Sequence, residues 1–364
     1  MEGDAPPVTK RRRILWIAGC LLLALVLVAP ASSVYYRATA GEGCASGCHE
    51  IRDTYNLWHE STHRSVPCAA CHGDALNSGP QLELANMRRL IRHVRDEVPE
   101  QIRIKGIDVV AMTDRCQTCH RQEFADWQAG PHGSTFTKIF LDAKHNRNTR
   151  LRDDCLRCHG SYYEGGIGEL VMPIDTQGPW QFVDAKWSQQ PAIPCLGCHQ
   201  MHRRGEPLRQ RTTPRPHPAK AEEIQRPSIA LFDRRTMSHV PLSDLPLPSM
   251  LDGARAVRMS PDQRQALCYE CHAPLATRQV ASGDDRTGMG VHEGISCLAC
   301  HEKHGQKTRA SCSTCHPRLS NCGRDVETMD TSFFSATSKH NIHFVKCSDC
   351  HTKGVPRRAE RLHG

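Results

Sequence analysis

The sequence is poor in the side chains that usually fill a protein interior. Aromatic residues make up only 5% of the 364 residues, and the hydrophobic fraction is 38%. A conventional core for a chain of this length needs more apolar side chain. Patterns typical of β-strands are also scarce along the chain. We therefore expect short helices, long loops and little sheet, with an interior filled partly by something other than side chains.

Cysteine, in contrast, is abundant, with 20 residues. Such a number can reflect disulfides, zinc sites or covalent haem attachment, and the spacing decides among them. Eight C-x-x-C-H motifs and one looser C-A-S-G-C-H motif, here numbered one to nine in chain order, use eighteen of these cysteines. The first cysteines of the motifs are Cys44, Cys68, Cys116, Cys155, Cys195, Cys268, Cys297, Cys312 and Cys347. The second cysteines are Cys48, Cys71, Cys119, Cys158, Cys198, Cys271, Cys300, Cys315 and Cys350. The histidines that follow are His49, His72, His120, His159, His199, His272, His301, His316 and His351.

This spacing is typical of haem c attachment. Two thiols add across the vinyl groups of one porphyrin edge, and the histidine that follows binds the iron. Zinc ribbons also use C-x-x-C pairs, but zinc needs no histidine directly after every second cysteine. Only 22 of the 364 residues are histidine, so nine coincidences are not credible. We predict nine haem c groups, eight on the strict motifs and one on the looser motif.

A second axial ligand for each iron is available, because thirteen histidines lie outside the motifs. Bis-histidine ligation is typical of low-potential haems that transfer electrons. Local patterns favour His63, His132, His202, His292, His304 and His340 as distal ligands. Further candidates are His59, His145, His239 and His343. His202 and His304 each follow a motif histidine by three residues, so each is expected to bind the iron of a different haem.

The charge balance is basic, with a formal net charge of +8. A basic chain often binds nucleic acid or an acidic partner. The propionates of nine haems would bring the charge to about −10 with reduced irons and about −1 with oxidised irons. We therefore read the basic excess as compensation for the cofactors and predict no nucleic-acid partner.

The amino terminus carries an export signal. A basic cluster at 10–13 precedes an apolar stretch at 14–34, which is long enough to span a bilayer as a helix. The stretch is interpreted as an uncleaved anchor, as a signal sequence cleaved near Ala31, or as a lipoprotein signal ending at Cys20. All three interpretations export the rest of the chain. We expect a single-pass protein of the bacterial inner membrane with its haem domain in the periplasm.

The motifs fall into two groups, separated by a stretch rich in proline and arginine that includes R-T-T-P-R-P-H-P. Helices are predicted at 81–98, with His93 facing away from its apolar stripe, and from about 260 into Cys268. The predicted fold class is mostly α with long loops and little sheet, organised around a packed haem chain. The predicted segments are a cytoplasmic tail, an anchor or signal sequence, a five-haem lobe, a linker and a four-haem lobe, at residues 1–13, 14–36, 37–204, 205–260 and 261–364.

Two resemblances to known families follow from these motifs. The segment from Cys116 to His132, C-Q-T-C-H-R-Q-E-F-A-D-W-Q-A-G-P-H, resembles a unit of the multihaem cytochromes c that include hydroxylamine oxidoreductase and octahaem tetrathionate reductase. In that group the trailing histidine is a distal ligand, which the resemblance implies for His132 and His63. The amino-terminal layout is similar to the NapC/NirT family, whose members take electrons from quinol and pass them to periplasmic partners.

Together these features predict a membrane-anchored periplasmic nonahaem cytochrome. It would carry electrons from the quinol pool or an inner-membrane donor to periplasmic redox proteins, with no catalytic residue. The alternative is a multihaem oxidoreductase acting on a small nitrogen or sulfur compound at one open-coordinated haem. Tyr162 and Tyr163 could line such an open site, although packing is the simpler role. A third interpretation is a conduit component joined to a porin complex at the outer surface.

Overall fold

The computed structural model describes residues 10–39, 41–73, 81–95, 103–146, 150–178, 180–202, 228–272, 286–305, 312–319, 323–329 and 340–354. The chain divides into two compact units, residues 1–104 with 201–205, and residues 105–200 with 206–364. The second unit therefore combines residues from both predicted haem lobes.

The described part of the first unit is helical. Its helices are Lys10–Ala38, Glu42–Gly47, Arg52–His59, Cys68–His72 and Gln81–Val94, with a 3-10 turn at His49–Ile51. The helix predicted at 81–98 is confirmed from Gln81 to Val94, and residues 96–98 lie outside the described residues. Leu84, Met87, Ile91 and Val94, which form its predicted apolar stripe, are exposed.

The amino-terminal helix Lys10–Ala38 contains the apolar stretch at 14–34, with Pro30 inside it. Its large apolar side chains are exposed, with Trp16 at 71%. Within the described ranges, no helix combines the length and the apolar character that crossing a membrane requires. The predicted transmembrane anchor at 14–36 is therefore not supported.

The second unit contains short helices and three two-stranded antiparallel sheets in its described residues. The helices are Gly106–Cys116, Arg121–Ala129, Phe136–Phe140, Ala143–Asn146, Cys155–His159, Ile167–Leu170, Ala266–Tyr269, Cys297–Cys300 and Cys347–Cys350. The 3-10 turns are Pro131–Gly133, Ala185–Trp187, Cys195–Gly197, Leu242–Asp244, Gln263–Gln265, Gly290–His292 and Cys312–Thr314. The strand pairs are Val171–Met172 with Gln181–Phe182, Ala230–Asp233 with Ser238–Pro241, and Leu251–Asp252 with Arg255–Ala256. The predicted fold class, mostly helical with many loops and little sheet, is confirmed.

A small side-chain core supports the second unit. Its main cluster consists of Phe136, Phe140, Leu151, Leu156, Tyr163, Ile167, Leu170, Val171, Trp180 and Ala192. Tyr162 is also buried, and its ring stacks on Phe232 with 3.8 Å between centroids. Packing, rather than lining an open site, is thus what both tyrosines do. Trp127 is also buried, and it donates a hydrogen bond from Nε1 to the carbonyl of Ile193 over 3.2 Å.

Residues 228–260, which belong to the predicted linker, are folded. Leu231 pairs with Val240 across the second hairpin. Both side chains pack against a buried cluster of Leu242, Leu245 and Ala266. Residues 205–227 of the predicted linker lie outside the described residues. The predicted helix before Cys268 forms as a 3-10 turn followed by Ala266–Tyr269, with Asp262 instead of Ser260 as the capping side chain.

Candidate haem sites

The haem motifs fold as single helical turns. In motifs three, five, six, seven, eight and nine, the backbone N–H of the histidine donates to the carbonyl of the first cysteine over 2.8–3.0 Å. This bond between residues i+4 and i closes one helical turn. Residues i, i+3 and i+4 of such a turn lie on one face. The two thiols and the imidazole of each motif therefore face the same side, as attachment of one porphyrin requires.

The cysteines are not used for other cross-links in the described structure. Every cysteine whose side chain is described is a thiol outside any disulfide. Among those same residues, one group of histidine, cysteine or acidic side chains is close enough to hold a metal ion directly, and it contains no cysteine. Neither a disulfide framework nor a set of zinc ribbons is therefore present in the described ranges.

Six motif histidines each lie beside a histidine from outside the motifs. The ring centroids are separated by 5.6 Å for His49 and His93, 6.0 Å for His72 and His202, 6.2 Å for His272 and His132, 6.2 Å for His199 and His304, 6.1 Å for His316 and His292, and 6.0 Å for His301 and His343. None of these six pairs joins two motif histidines or two other histidines. Each pair therefore offers one motif histidine as a proximal ligand and one other histidine as a distal ligand.

These separations fit one metal ion between two imidazoles. A metal–nitrogen bond is about 2.0–2.1 Å long, and ring bonds of about 1.33 Å place the nitrogen roughly 1.1 Å from the ring centroid. Two rings on opposite sides of one ion therefore have centroids roughly 6.3 Å apart. Direct van der Waals stacking would bring parallel rings closer. The residues present thus fit an iron between the two rings of each pair.

The non-motif histidines are positioned by short turns next to other motifs. His202 and His304 follow His199 and His301 by three residues, yet each lies beside the histidine of a different motif. His132 belongs to the 3-10 turn Pro131–Gly133. This turn follows the helix Arg121–Ala129, which begins at the residue after motif three. A single segment after one motif therefore supplies an imidazole to another.

His292 and His343 come from two segments that are hydrogen bonded together. The N–H of Met289 donates to the carbonyl of His343 over 2.6 Å, and the N–H of Val291 donates to that of Val345 over 3.0 Å. Gly290, between them, has a φ of +70°, and a Cβ there would overlap the carbonyl oxygen of Val345. Only glycine permits this close approach.

Burial prepares several of these imidazoles for metal binding. It lowers the pKa of His132 to about 4, with nearby His272 and His304 acting in the same direction. Burial also lowers the pKa of His202 and of His304. The neutral imidazole is the form that binds a metal. These three side chains are therefore neutral at physiological pH without a change of conformation.

The first motif has a distinct neighbourhood, which sequence reasoning missed. His93, on the helix Gln81–Val94, lies beside His49, and its Nδ1 is 2.7 Å from Oε1 of Glu50. His49 Nε2 is 3.5 Å from the same oxygen. His93 was not among the predicted distal ligands. The only sequence feature that could have indicated it was its position away from the apolar stripe of the predicted helix. These three residues are the group noted above whose side chains are close enough to hold a metal ion directly.

The other predicted distal ligands have different surroundings. His239 is held in unit two by its Nε2, which lies 2.8 Å from the carbonyl oxygen of Leu196, inside motif five. His59 is exposed, with its ring 6.1 Å from that of Tyr55. His63 Nδ1 lies 3.5 Å from Thr62 Oγ1, and His340 is partly buried beside the turn that precedes motif nine. The side chain of His145 lies outside the described part of the structure.

Thiols of different motifs also meet in the second unit. Cys116 hydrogen bonds with Cys195, Cys158 with Cys271, and Cys268 with Cys297. An ion pair accompanies the second of these contacts, because Arg157 Nη2 lies 2.5 Å from Glu270 Oε2. The attachment edges of motifs three and five, four and six, and six and seven are therefore adjacent.

The remaining attachment thiols differ in their exposure. Burial raises the pKa of Cys68 in motif two and raises that of Cys198 in motif five to about 11. Cys155 packs against the main side-chain core. Cys350 of motif nine is exposed, and the side chain of Cys44 lies outside the described part of the structure. The predicted attachment cysteines thus range from the interior to the surface.

Two further predicted attachment cysteines are Cys71 in motif two and Cys119 in motif three. Cys119 is exposed because it lies in the turn beyond the helix Gly106–Cys116, whose buried residues precede that turn. Its sulfur accepts a hydrogen bond from the neighbouring Thr118 hydroxyl over 3.8 Å. Cys71 belongs to the first unit, where it is half-buried on the helix Cys68–His72.

Cys71 and Cys119 are predicted attachment residues because of the C-x-x-C-H spacing of motifs two and three. Neither belongs to the direct metal-binding group, which among the described residues is formed by His49, Glu50 and His93. Haem attachment at these two cysteines depends on the C-x-x-C-H spacing and on the helical turn that each motif forms, and it stays a prediction.

One buried hydroxyl group also fits the presence of a haem between motifs four and five. Ser161 is 6% exposed, and its Oγ has no hydrogen-bond partner in the structure. It lies between motifs four and five, near Gly197. A buried hydroxyl without a partner costs free energy, about 1–3 kcal/mol. A haem propionate in this region would supply the missing acceptor.

Comparison with known proteins agrees with this geometry. Residues 37–207 match the family model described as outer membrane cytochrome MtrC/MtrF-like, domains II/IV. The chain is a multihaem c-type cytochrome. The match covers somewhat less than half of the sequence and includes motifs one to five, so over this region the chain is related to those domains. No curated protein matches, and no solved structure matches either. The resemblances to the hydroxylamine oxidoreductase group and to the NapC/NirT family thus receive no support.

Proposed function

We propose that this cytochrome is an electron carrier in which six motif histidines and their ring partners are the axial ligand pairs of six haem c groups. The observation that carries the proposal is the set of six histidine pairs. Five of them have centroid separations of 6.0–6.2 Å. Each combines a motif histidine with a histidine from another part of the sequence, and side-chain packing alone would not select such pairs.

The ligand type indicates the chemistry. A haem held by two histidines has no open position for a substrate, and its reduction potential is low. When bound, the cofactor supplies a one-electron couple between ferric and ferrous iron. The chain fixes the imidazoles through hydrogen-bonded turns, and burial lowers the pKa of His132 and His202, which favours their neutral, metal-binding forms. These properties suit electron transfer better than catalysis.

We propose haem c at all nine motifs, through the eighteen motif cysteines and the nine motif histidines. The distal ligands proposed from the structure are His93, His202, His304, His132, His343 and His292, for motifs one, two, five, six, seven and eight. Motif one departs from the others in its spacing and in its ring separation of 5.6 Å. Its adjacent cysteine Cys48 nevertheless precedes His49 directly, as in the strict motifs.

A location in the cell envelope follows as part of the proposal. The related family is described as outer-membrane cytochromes, and haem c is attached outside the cytoplasm. We propose that electrons arrive from the quinol pool or another inner-membrane donor and leave to periplasmic or surface redox partners.

The decisive experiment is a haem count on protein matured in a host that attaches haem c. We expect nine haems from the pyridine haemochrome and from the intact mass, and an electron paramagnetic resonance spectrum containing only low-spin ferric haem. A colourless protein, or one that holds zinc, would overturn the proposal. A substantial high-spin signal would instead indicate an open haem and favour the oxidoreductase.

A further inference from the structure

We infer that the helix Gln81–Val94 lies on an anionic phospholipid surface, with one side in contact with lipid and another side beside motif one. Three observations carry the inference: an exposed apolar stripe, arginines next to that stripe, and the contact of His93 with motif one. The contact with lipid depends on the first two observations. Its meaning for electron transfer rests on the proposed function, through the assignment of His93 as an axial ligand.

The apolar stripe is exposed along the whole helix. Its side chains at Leu84, Met87, Ile91 and Val94 are all exposed, the last at 79%. At 3.6 residues per turn, these four side chains fall within an arc of roughly 80°. Leu90 is also exposed and extends the arc on one side. Apolar side chains that are exposed singly are common, whereas a contiguous exposed patch marks an interaction surface.

The charge next to the stripe is basic. Arg88 and Arg92 are exposed and lie roughly 40° and 80° around the helix from Leu84, on the side opposite Leu90. Between Glu83 and Asp96 the sequence contains four arginines and no acidic residue. A helix with an apolar face and a basic polar face is typical of binding to the surface of an anionic membrane.

An anionic bilayer matches both parts of this surface. Helices of this kind bury their apolar face about 5–10 Å into the boundary between headgroups and acyl chains. The aliphatic stem of an arginine lies along the apolar layer, while its guanidinium group stays at the surface and binds phosphate. The location in the cell envelope proposed above supplies such a surface. The complementary charge therefore favours anionic lipid as the occupant of the stripe.

A different side of the helix faces motif one. His93 lies roughly 140° around the helix from the centre of the stripe. Its ring is 5.6 Å from that of His49, and its Nδ1 is 2.7 Å from Oε1 of Glu50. Motif one therefore contacts the helix on a side that the stripe does not occupy, so the same helix can contact motif one and lipid.

The helix thereby brings motif one to the membrane. A helix with its side chains is about 10–12 Å across, so a haem bound to His93 lies roughly one helix diameter from the lipid. A quinol at this surface gives its two electrons, one after the other, to the ferric haem of motif one. It becomes the quinone and releases two protons. Motif one is therefore where electrons from the membrane enter.

Photo-crosslinking to lipid tests the contact in the full-length holoprotein. Vesicles of equal parts phosphatidylglycerol and phosphatidylcholine carry a small share of a phospholipid with a diazirine in its acyl chain. Light turns the diazirine into a carbene that inserts into nearby side chains, and peptide mass spectrometry locates the adducts. Because the helix Lys10–Ala38 also exposes apolar side chains, the readout is the adducts on residues 81–95 and not overall vesicle binding.

We expect adducts on the apolar stripe, and fewer of them with vesicles of phosphatidylcholine alone. A stripe without adducts would show that protein covers it, either the rest of this chain or a second copy, and would overturn the inference. The same yield with both kinds of vesicle would overturn the choice of anionic lipid.

Two matched variants place a carboxylate at an exposed apolar residue. Ile91→Glu does so in the stripe, and Leu251→Glu does so in the second unit. Adducts on the helix should be lost in Ile91→Glu and retained in Leu251→Glu, and equal yields would contradict the contact. Since both side chains are exposed, neither substitution disturbs a packed interior.

The arginines are tested separately. Arg88→Gln together with Arg92→Gln should lower the yield of helix adducts by about fivefold for each arginine that meets an anionic headgroup. An unchanged yield would remove these arginines from the lipid-binding surface and overturn the inference in its anionic form.

A haem count and an electron paramagnetic resonance spectrum of the same samples separate this inference from the proposed function. A low-spin protein with nine haems but without helix adducts would overturn the lipid contact alone. A protein without haem would overturn the proposed function, whatever the crosslinks show.

Electron entry has its own readout. Reduction by a long-chain quinol held in the vesicles should be slower in Ile91→Glu than in Leu251→Glu, whereas reduction by soluble dithionite should be equal in both. Equal rates with the quinol would overturn motif one as the entry point.

Discussion

The Nδ1 atom of His93 lies 2.7 Å from Oε1 of Glu50, while the ring of the same histidine lies 5.6 Å from that of His49. A carboxylate at Nδ1 fixes the tautomer of a histidine and leaves Nε2 for a metal. A hydrogen bond from the backbone, together with His49 and His93, holds the pKa of Glu50 below its usual value. The carboxylate is therefore ionised when it accepts from His93.

The first prediction concerns the potential of the haem on motif one. Glu50→Gln should raise its midpoint potential, because the carboxylate increases the basicity of the ligand and so stabilises ferric iron. The haem should stay low-spin, since His93 remains. A spectroelectrochemical titration of the holoprotein measures the shift against wild type.

The control for this prediction is Asp53→Asn, three residues away on the helix Arg52–His59. It removes the same charge without touching His93. A smaller shift is expected from Asp53→Asn than from Glu50→Gln. Equal shifts would mean that overall charge, and not the hydrogen bond to His93, sets the potential.

The second prediction tests His93 as a ligand. His93→Ala should convert one haem to the high-spin ferric state, because its iron loses one axial imidazole. Electron paramagnetic resonance of the oxidised protein measures the change. Arg92→Ala, on the exposed neighbouring residue of the same helix, should leave the spectrum low-spin. An unchanged spectrum in His93→Ala would remove this histidine from the proposed ligands.

The local features of the fold could be predicted from the sequence, and the long-range pairing could not. The C-x-x-C-H spacing requires one helical turn, and the helix from Gln81 to Val94 follows from its periodicity. The scarcity of strand patterns also matched the small sheets. Each of these depends on residues that are close in sequence.

Which imidazole lies beside which motif depends instead on chain folding. His93 is 44 positions from His49 in sequence, and nothing local to either residue relates them. His239, in contrast, was predicted as a distal ligand from the sequence. In the structure its Nε2 lies at the carbonyl oxygen of Leu196, and its ring lies against Phe232. The proline and arginine content of residues 205–260 led to the prediction of a linker and gave no sign of the hairpin Ala230–Asp233 with Ser238–Pro241. The pairing of this hairpin depends on burial against Leu242, which is a tertiary contact.

The third prediction concerns the ion pair that accompanies motifs four and six. Arg157 and Glu270 are only 17% and 11% exposed, so Glu270→Gln leaves a mostly buried guanidinium without its partner charge. We expect a loss on the order of 3 kcal/mol in the free energy of unfolding. Denaturant unfolding of the holoprotein, followed by far-ultraviolet circular dichroism, measures it. Asp184→Asn, which breaks the exposed pair with Lys186, should have little effect. Similar losses in both variants would argue against burial as the cause.

The fourth prediction concerns Asp262, which fixes the segment in front of motif six to motif seven. Its carboxylate accepts from the Arg264 guanidinium over 2.7 Å and from the Ser296 hydroxyl over 2.7 Å. Burial raises the pKa of Asp262, but the hydrogen bonds and the charge of Arg264 outweigh burial and lower it overall. The folded protein therefore favours the ionised form more than the unfolded chain does.

The sign of the resulting pH dependence follows directly. A carboxyl group whose pKa is lowered on folding stabilises the protein above the unfolded pKa, about 3.9 for aspartate. That stabilisation is lost as the pH falls through the lowered pKa of the folded state. Asp262→Asn should therefore unfold at lower denaturant concentration than wild type at pH 7, and the difference should shrink as the pH drops below about 4. Asp244→Asn, at an exposed aspartate in the same unit, should show no such convergence. A difference for Asp262→Asn that stays constant with pH would show that the lost hydrogen-bond geometry, and not the charge of Asp262, stabilises the contact with Ser296.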